Sequence, residues 1–362
     1  MRVTRLHTYR FKLPFKHPLV VGRYRMVDRE GRILALSTDT GHLAFGEISP
    51  LPGLNEESMA QVAGQIARLS SDLTERELPD GLDLLTGGFE RWLRPWDLAP
   101  SVRCGLETAI AGLMAQREKI PLCRLISDSP RAEVTVNALL AGDYEAVLSR
   151  TARLLGQGYG AFKLKVGQRS VEEAVRIVLA VRERIGPAAI LRLDANRAWN
   201  VDQAMAVIQS LSDVDIDYLE EPVQTDAMLA DLLSRPEVRV PLALDERLVR
   251  TTPDDISFPP NLGAVVLKPT VLGLEKTVRL ARRATRHGVQ AVISSSFESG
   301  FGLQVLSHLA ASVNDRDVPA GLGTGSWLKT DLLVDPPGIQ NGRIAVLDLP
   351  DSFHALKGEL LE

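Results

Sequence analysis

The chain is 362 residues long with 45% hydrophobic and 24% charged residues, which allows a sizeable core and excludes wholesale disorder. Its 42 basic and 46 acidic side chains, a net charge of −4, leave no basic excess to recommend nucleic acid or an anionic membrane as a partner. Two cysteines without a CxxC pair point away from a disulfide framework or a thiolate zinc site, and with no signal-peptide pattern or long apolar run the expectation is a cytoplasmic protein.

Strand-like pieces at Arg32–Ser37 and His42–Phe45, followed by a helical stretch from Ser58 to Leu73, predict an α+β unit over the first hundred residues. From about Arg103 apolar β-type runs alternate with amphipathic helices, the signature of βαβ units and a parallel sheet. Eight strands are predicted: Val134–Ala138, Ala161–Leu164, Ile190–Leu193, Asp217–Leu219, Leu242–Leu244, Ala264–Leu267, Ala291–Ile293 and a short one near Gly321. Eight is the count of a closed barrel. Asp143 and the Ser170/Glu173 pair are predicted to start helices, and Gly156, Gly158 and Gly288 to stop them. Lys165-Val166-Gly167-Gln168 is not a glycine-rich phosphate loop, which favours the barrel over a doubly wound open sheet. Beyond Lys329 the chain turns Pro/Gly-rich, and a last strand, Arg343–Val346, is expected to pack back on the N-terminal unit. The division expected is residues 1–102, 103–328 and 329–362: capping part, barrel, and a tail returning to the cap.

Charged residues recur at the C-terminal ends of the predicted strands: Lys163 and Lys165, Asp194, Glu220 with Glu221, Asp245 with Glu246, and Lys268. From Lys165 the intervals between successive members are 29, 26, 25 and 23 residues, each about one βα unit. Taken singly, such a residue is more often a helix cap or a solvated loop charge. In a barrel, however, strand ends at one face converge on one pocket, so the set predicts a single active site. Three carboxylates from successive strands supply the hard oxygen ligands Mg²⁺ prefers. Lys163 and Lys165, two apart on one strand, point to the same face, as do Arg192 and Asp194. A lysine beside other cations and a divalent ion loses part of its preference for the charged form, which is what a proton-abstracting base requires. The substrate implied is a small-molecule carboxylate, because removing its α proton creates a dianion that a divalent cation stabilises.

At these residues the chain resembles the enolase superfamily, over nearly its whole length. Gly46–Gly53, Pro100–Arg103, Phe162-Lys163-Leu164-Lys165-Val166, Arg192–Trp199, Tyr218-Leu219-Glu220-Glu221-Pro222, Lys268-Pro269-Thr270 and Ser294-Ser295-Ser296-Phe297-Glu298-Ser299 are similar to the o-succinylbenzoate synthase family within it. The resemblance implies a modified TIM barrel, (β/α)₇β, with an α+β capping domain. It implies Asp194, Glu220 and Asp245 as Mg²⁺ ligands with Mn²⁺ as a substitute, Lys165 as general base, Lys163 as its support and Lys268 as the enolate's electrostatic partner. Ser294 and Gly321 match the family's pocket for the substrate's succinyl carboxylate, with Arg192 close by, and the loops His17–Arg23 and Pro50–Asn55 resemble those that close over substrate. The implied reaction is a syn dehydration in menaquinone or phylloquinone biosynthesis; N-acylamino acid racemisation or dipeptide epimerisation uses the same lysines and stands as the alternative. Two departures are visible: Arg247 follows Asp245-Glu246 where the family commonly has Ser, and Gly323 stands where it commonly has Asp. Glu47 reads as a structural carboxylate between domains. The oligomeric state is left open.

Overall fold

The computed structural model describes residues 1–79 and 84–362. The chain begins with a three-stranded antiparallel sheet, β1 (Val3–Val21), β2 (Tyr24–Thr38) and β3 (Leu43–Ile48), followed by α1 (Met59–Leu73), the short α2 (Gly88–Leu93) and α3 (Pro100–Glu118). Ser58 caps α1 through a reciprocal box with Gln61, and Pro100 opens α3 where its missing N–H costs nothing. Helix α3 lies very close to the cap sheet because Gly46 and Gly105 face one another: a Cβ on Gly46 would sit 1.9 Å from the Gly105 carbonyl oxygen.

The second unit alternates strand and helix: β4 (Glu133–Thr135), β5 (Ala138–Leu140), α4 (Tyr144–Gly156), β6 (Ala161–Lys165), α5 (Val171–Ile185), β7 (Ile190–Asp194), α6 (Val201–Ser210), β8 (Tyr218–Glu220), α7 (Asp226–Ser234), β9 (Leu242–Leu244), β10 (Leu262–Leu267), α8 (Pro269–Leu272), α9 (Leu274–Arg286), β11 (Gln290–Ile293) and α10 (Gly300–Ser312). Strands β5 to β11 pair in parallel in chain order. The eighth strand is reduced to Ala320 and Gly321. Ala320 bridges Val136 and Gly321 bridges Ser294, with hydrogen bonds from Asn137 N–H to the Ala320 carbonyl and from Gly321 N–H to the Ile293 carbonyl, so the sheet closes into a barrel. Asp143 caps α4, Ser170 and Glu173 form the expected box on α5, and Gly158 and Gly288 turn left-handed after their helices. Gly156 instead remains as the last residue of α4.

Two strand expectations are corrected. The run Val134–Ala138 is split into β4 and β5, because Val136 and Asn137 bond to Gly342 and to the eighth strand. The strand at Arg343–Ala345 (β13) pairs with β4 and with β12 (Ile339–Gln340), so it joins the base of the barrel and not the cap sheet. The end of the chain does reach the cap: Glu362 and Arg10 exchange backbone hydrogen bonds, and Phe353 packs edge-on against Tyr9 and Phe45. Among the described residues no helix is long and apolar enough to cross a membrane.

Candidate active site

Alternation along the strands turns Lys163 and Lys165 of β6, Asp194 of β7 and Glu220 of β8 into the barrel, with Asp245 and Lys268 just past β9 and β10. Lys163 Nζ lies 2.7 Å from Glu220 Oε1 and 2.9 Å from Asp194 Oδ2. Lys165 Nζ donates to Asp194 Oδ2 at 2.7 Å and to Asn196 Oδ1 at 2.8 Å. Lys268 Nζ donates to Asp245 Oδ2. The three lysines and three carboxylates read from the sequence therefore meet at one end of the barrel. Lys165 is the most open of the lysines, with 34% of its side chain exposed against 11% for Lys163 and 15% for Lys268. The loops after β7, β8 and β11 carry left-handed residues other than glycine, Asn196, Arg197, Glu221 and Phe297, so local strain is concentrated around this end.

Burial alone would lower Lys163, but Asp194 and Glu220 outweigh it and hold the ammonium well above its ordinary value; Lys268 is raised likewise by Asp245 and Glu246. Both shifts come from the ion pairs these two lysines make with buried carboxylates. Burial would raise Asp194, yet Lys163 and Lys165 keep it far below the usual carboxylate range. Glu220 goes the other way: burial and the neighbouring Asp194 push it well up despite Lys163. Lys163 Nζ is within 2.7 Å of both Glu220 oxygens but aligned to hydrogen-bond only Oε1, which leaves Oε2 buried without a hydrogen bond. Glu246 Oε2 is likewise buried and unpartnered. Four acidic groups thus face three ammonium groups in a buried pocket, a deficit of positive charge that a hard divalent cation would make good through Asp194, Glu220 and Asp245. As the side chains stand, no three Asp, Glu, His or Cys residues among those described are grouped to hold a metal ion, since the lysines lie between the carboxylates.

Ser294 and Gly321 are adjacent through their bridge, and a Cβ on Gly321 would lie 2.6 Å from Ser294 Oγ. The N–H of Gly321 is already given to Ile293, so its contribution there is the absence of a side chain and not a donor. Arg192 is placed differently from the expectation. It is fully buried, and its guanidinium runs to the opposite end of the barrel, donating to Asp217 Oδ2 at 2.8 Å, Asn137 Oδ1, the Pro319 carbonyl and Gln290 Oε1, against the Tyr218 ring. Four of its five N–H groups are taken by the protein.

Further residues support this end. Glu221, fully buried, accepts the Asp245 N–H at 3.0 Å and is paired with Arg247 Nε at 2.7 Å, so Arg247 ties the end of β8 to the end of β9. The Glu221-Pro222 pair and Arg247 were visible in the sequence; their joint role was not. Glu47 accepts from Ser49 Oγ, Ser299 Oγ and the Ser299 and Gly302 N–H groups, joining β3 to the start of α10. From the cap, Asn55 donates to the Thr270 carbonyl beside Lys268 and Arg29 donates to the Phe297 carbonyl. A cavity of about 560 Å³ opens next to Asp245, Glu246 and Lys268, walled on the cap side by Gly53–Glu57.

The Enolase C-terminal domain-like family matches residues 146–350 and the MenC N-terminal domain family residues 1–113. The chain is 30% identical over 350 residues to an o-succinylbenzoate synthase of Photorhabdus laumondii, covering 91% of this chain and 93% of that one. It is 32% identical over 376 residues to the chloroplastic protein PHYLLO of Arabidopsis thaliana, of which it spans 21%. An N-succinyl-L-Arg/Lys racemase of Bacillus cereus is 25% identical over 316 residues, covering 86% of this chain and 85% of that one. In fold, a dipeptide epimerase from Methylococcus capsulatus, solved with Mg and the dipeptide L-Arg-D-Lys, superposes with a TM-score of 0.83 at 20% identity, covering 97% of this chain and 99% of that one. A barrel closed by a two-residue eighth strand, a sheet-built cap and these matches over both parts place the chain in the enolase superfamily, within the o-succinylbenzoate synthase family.

Proposed function

We propose that the protein catalyses the Mg²⁺-dependent syn dehydration of 2-succinyl-6-hydroxy-2,4-cyclohexadiene-1-carboxylate to o-succinylbenzoate and water, a step of menaquinone or phylloquinone biosynthesis. The observation that carries this reading is the ring of Lys163, Lys165, Asp194, Glu220, Asp245 and Lys268 at one barrel end, in a chain whose o-succinylbenzoate synthase relatives align over nine-tenths of both lengths. Asp194, Glu220 and Asp245 would hold Mg²⁺, with Mn²⁺ as a substitute. When bound, the ion supplies the positive charge that makes a doubly charged enolate accessible at neutral pH.

The remaining work falls to the chain's own groups. Lys165, the most exposed of the three site lysines, takes the α proton and returns it to the departing hydroxyl on the same face. Asn196 and Asp194 fix its ammonium between the two transfers. Lys163, squeezed between Asp194 and Glu220, keeps its charge and orients both carboxylates. Lys268 faces the enolate from the other side. Ser294 Oγ, beside the side-chain-free Gly321, receives the succinyl carboxylate, while Arg192 braces the barrel from below.

N-succinylamino acid racemisation is the second reading, favoured by the Bacillus cereus relative and by the presence of lysines on both sides of the pocket. The deciding assay follows loss of the diene absorbance of the cyclohexadiene substrate with Mg²⁺ and then with excess EDTA. Rapid, EDTA-sensitive conversion supports the dehydratase. Failure to convert, together with loss of optical rotation of N-succinylarginine, supports the racemase.

A further inference from the structure

Strands β10 and β11 pair up to Leu267 and Ile293, and their last shared hydrogen bond runs from the Ser294 N–H to the Leu267 carbonyl at 2.9 Å. Past it the two segments part. One carries Lys268 and enters α8 at Pro269, which has no N–H to give. The other carries Ser294 into a turn where Phe297 is left-handed, with φ at 62°. The strand ladder no longer sets the separation between the two.

Glu298 spans the gap. Its side chain is buried, its Oε1 accepts from Thr270 Oγ1 at 2.6 Å, two residues past Lys268, and its Oε2 accepts from the Ser296 N–H at 2.6 Å, two residues past Ser294. The second bond closes over Phe297, a residue other than glycine in a conformation that persists only where its surroundings hold it. The cap grips the same two segments: Asn55 Nδ2 donates to the Thr270 carbonyl at 3.1 Å and Arg29 Nε to the Phe297 carbonyl at 3.0 Å. Among the described residues Glu298 forms no ion pair, and burial, opposed by Thr270 and reinforced by Glu47, pushes its carboxyl above the ordinary range. Burying a carboxyl without a cation is costly, so its use here lies in two polar atoms at a set spacing and not in its charge.

On the roles proposed above for Lys268 and Ser294, we infer that Glu298 is a positioning residue of the active site: tied to Thr270 on one side and to the Phe297 turn on the other, it sets Lys268, which faces the enolate, at its working distance from Ser294, which receives the substrate's far carboxylate. A substrate held at both places is aligned only as well as those two segments are, and a misplacement of about 1 Å costs on the order of a hundredfold in rate.

Thr270→Val, which keeps nearly the same shape and removes the hydroxyl, tests the tie, with Thr270→Ser and Glu298→Gln as conservative partners. The amide of Glu298→Gln can accept from the Ser296 N–H and donate to the Thr270 hydroxyl, which bonds in either direction. Turnover is read on whichever of the cyclohexadiene substrate and N-succinylarginine the wild type converts. Hydrogen exchange of the Ser294–Ser299 amides, followed by mass spectrometry, reads the same tie with no substrate present. In Thr270→Val, kcat should fall by at least about tenfold while KM moves by less than about threefold, because alignment is lost and ground-state binding is not. Exchange at Ser294–Ser299 should quicken by at least about tenfold, although the altered residue lies on the other segment. Thr270→Ser and Glu298→Gln should stay within about threefold of the wild type in both readouts. Wild-type kcat or unchanged exchange in Thr270→Val would overturn the assignment, and so would a Glu298→Gln variant as impaired as Thr270→Val, which would make the charge the active feature. A wild type that converts neither substrate would end the functional reading instead, and the exchange comparison alone would then decide the role of Glu298.

Discussion

Glu107 on α3 offers a test of how the cap helix is held to the barrel. Its carboxyl is fully buried, accepts the backbone N–H of Glu275 at 2.9 Å and pairs with Arg103 Nε at 2.6 Å. Burial dominates these partners and pushes the group up from 4.5 to about 7. In the unfolded chain it ionises near its ordinary value, whereas in the folded chain it keeps its proton to about neutrality. The group therefore has no effect on stability below about pH 4.5, costs progressively more as pH rises, and reaches its full cost above about pH 7. The size of that cost is about 3 kcal/mol. Glu107→Gln removes the titration while keeping an acceptor for the Glu275 N–H, at some loss toward Arg103. Urea unfolding of both proteins from pH 5 to 8 should show the wild type losing about 2.5 kcal/mol more than the variant over that interval. Parallel stability-pH curves for the two proteins would refute the argument.

Gly46→Ala should cost about 3 kcal/mol or more, because the new methyl meets the Gly105 carbonyl of α3 and neither backbone can retreat; differential scanning calorimetry reads it. Arg247→Ser removes the cation from the buried Glu221 carboxylate and should destabilise by about 3–5 kcal/mol in urea. Asp194→Asn should abolish tight Mn²⁺ binding followed by electron paramagnetic resonance while the far-UV spectrum stays native, since its carboxylate is the one shared by Lys163 and Lys165.

Much of this site was legible because barrels convert sequence spacing into convergence. One charged residue per βα unit, placed after an apolar run, is enough to bring Lys165, Asp194, Glu220, Asp245 and Lys268 together, and alternation on β6 assigns Lys163 to the same side. Arg192 marks the limit of that logic. Alternation gives the inward face but not which way along the barrel axis a long side chain runs, and its partners Asp217, Gln290 and Pro319 lie at or just before the starts of other strands. Asn196 was hidden for a related reason: it reaches Lys165 only because the chain turns left-handed immediately after β7. The pairing of β13 with β4 is a contact between segments about 200 residues apart, which local pattern does not encode. Glu47 carries no local signal for its partners Ser299 and Gly302, which lie some 250 residues away.

The central claim is that Lys165, at the end of β6, is the base of a single metal-dependent site. The most direct measurement is the turnover number of Lys165→Ala on the cyclohexadiene substrate at saturating Mg²⁺, alongside its melting temperature. A fall of at least about a hundredfold with an unchanged melt is expected for loss of a general base. Turnover within about tenfold of the wild type would contradict it, because the proton would then have another acceptor.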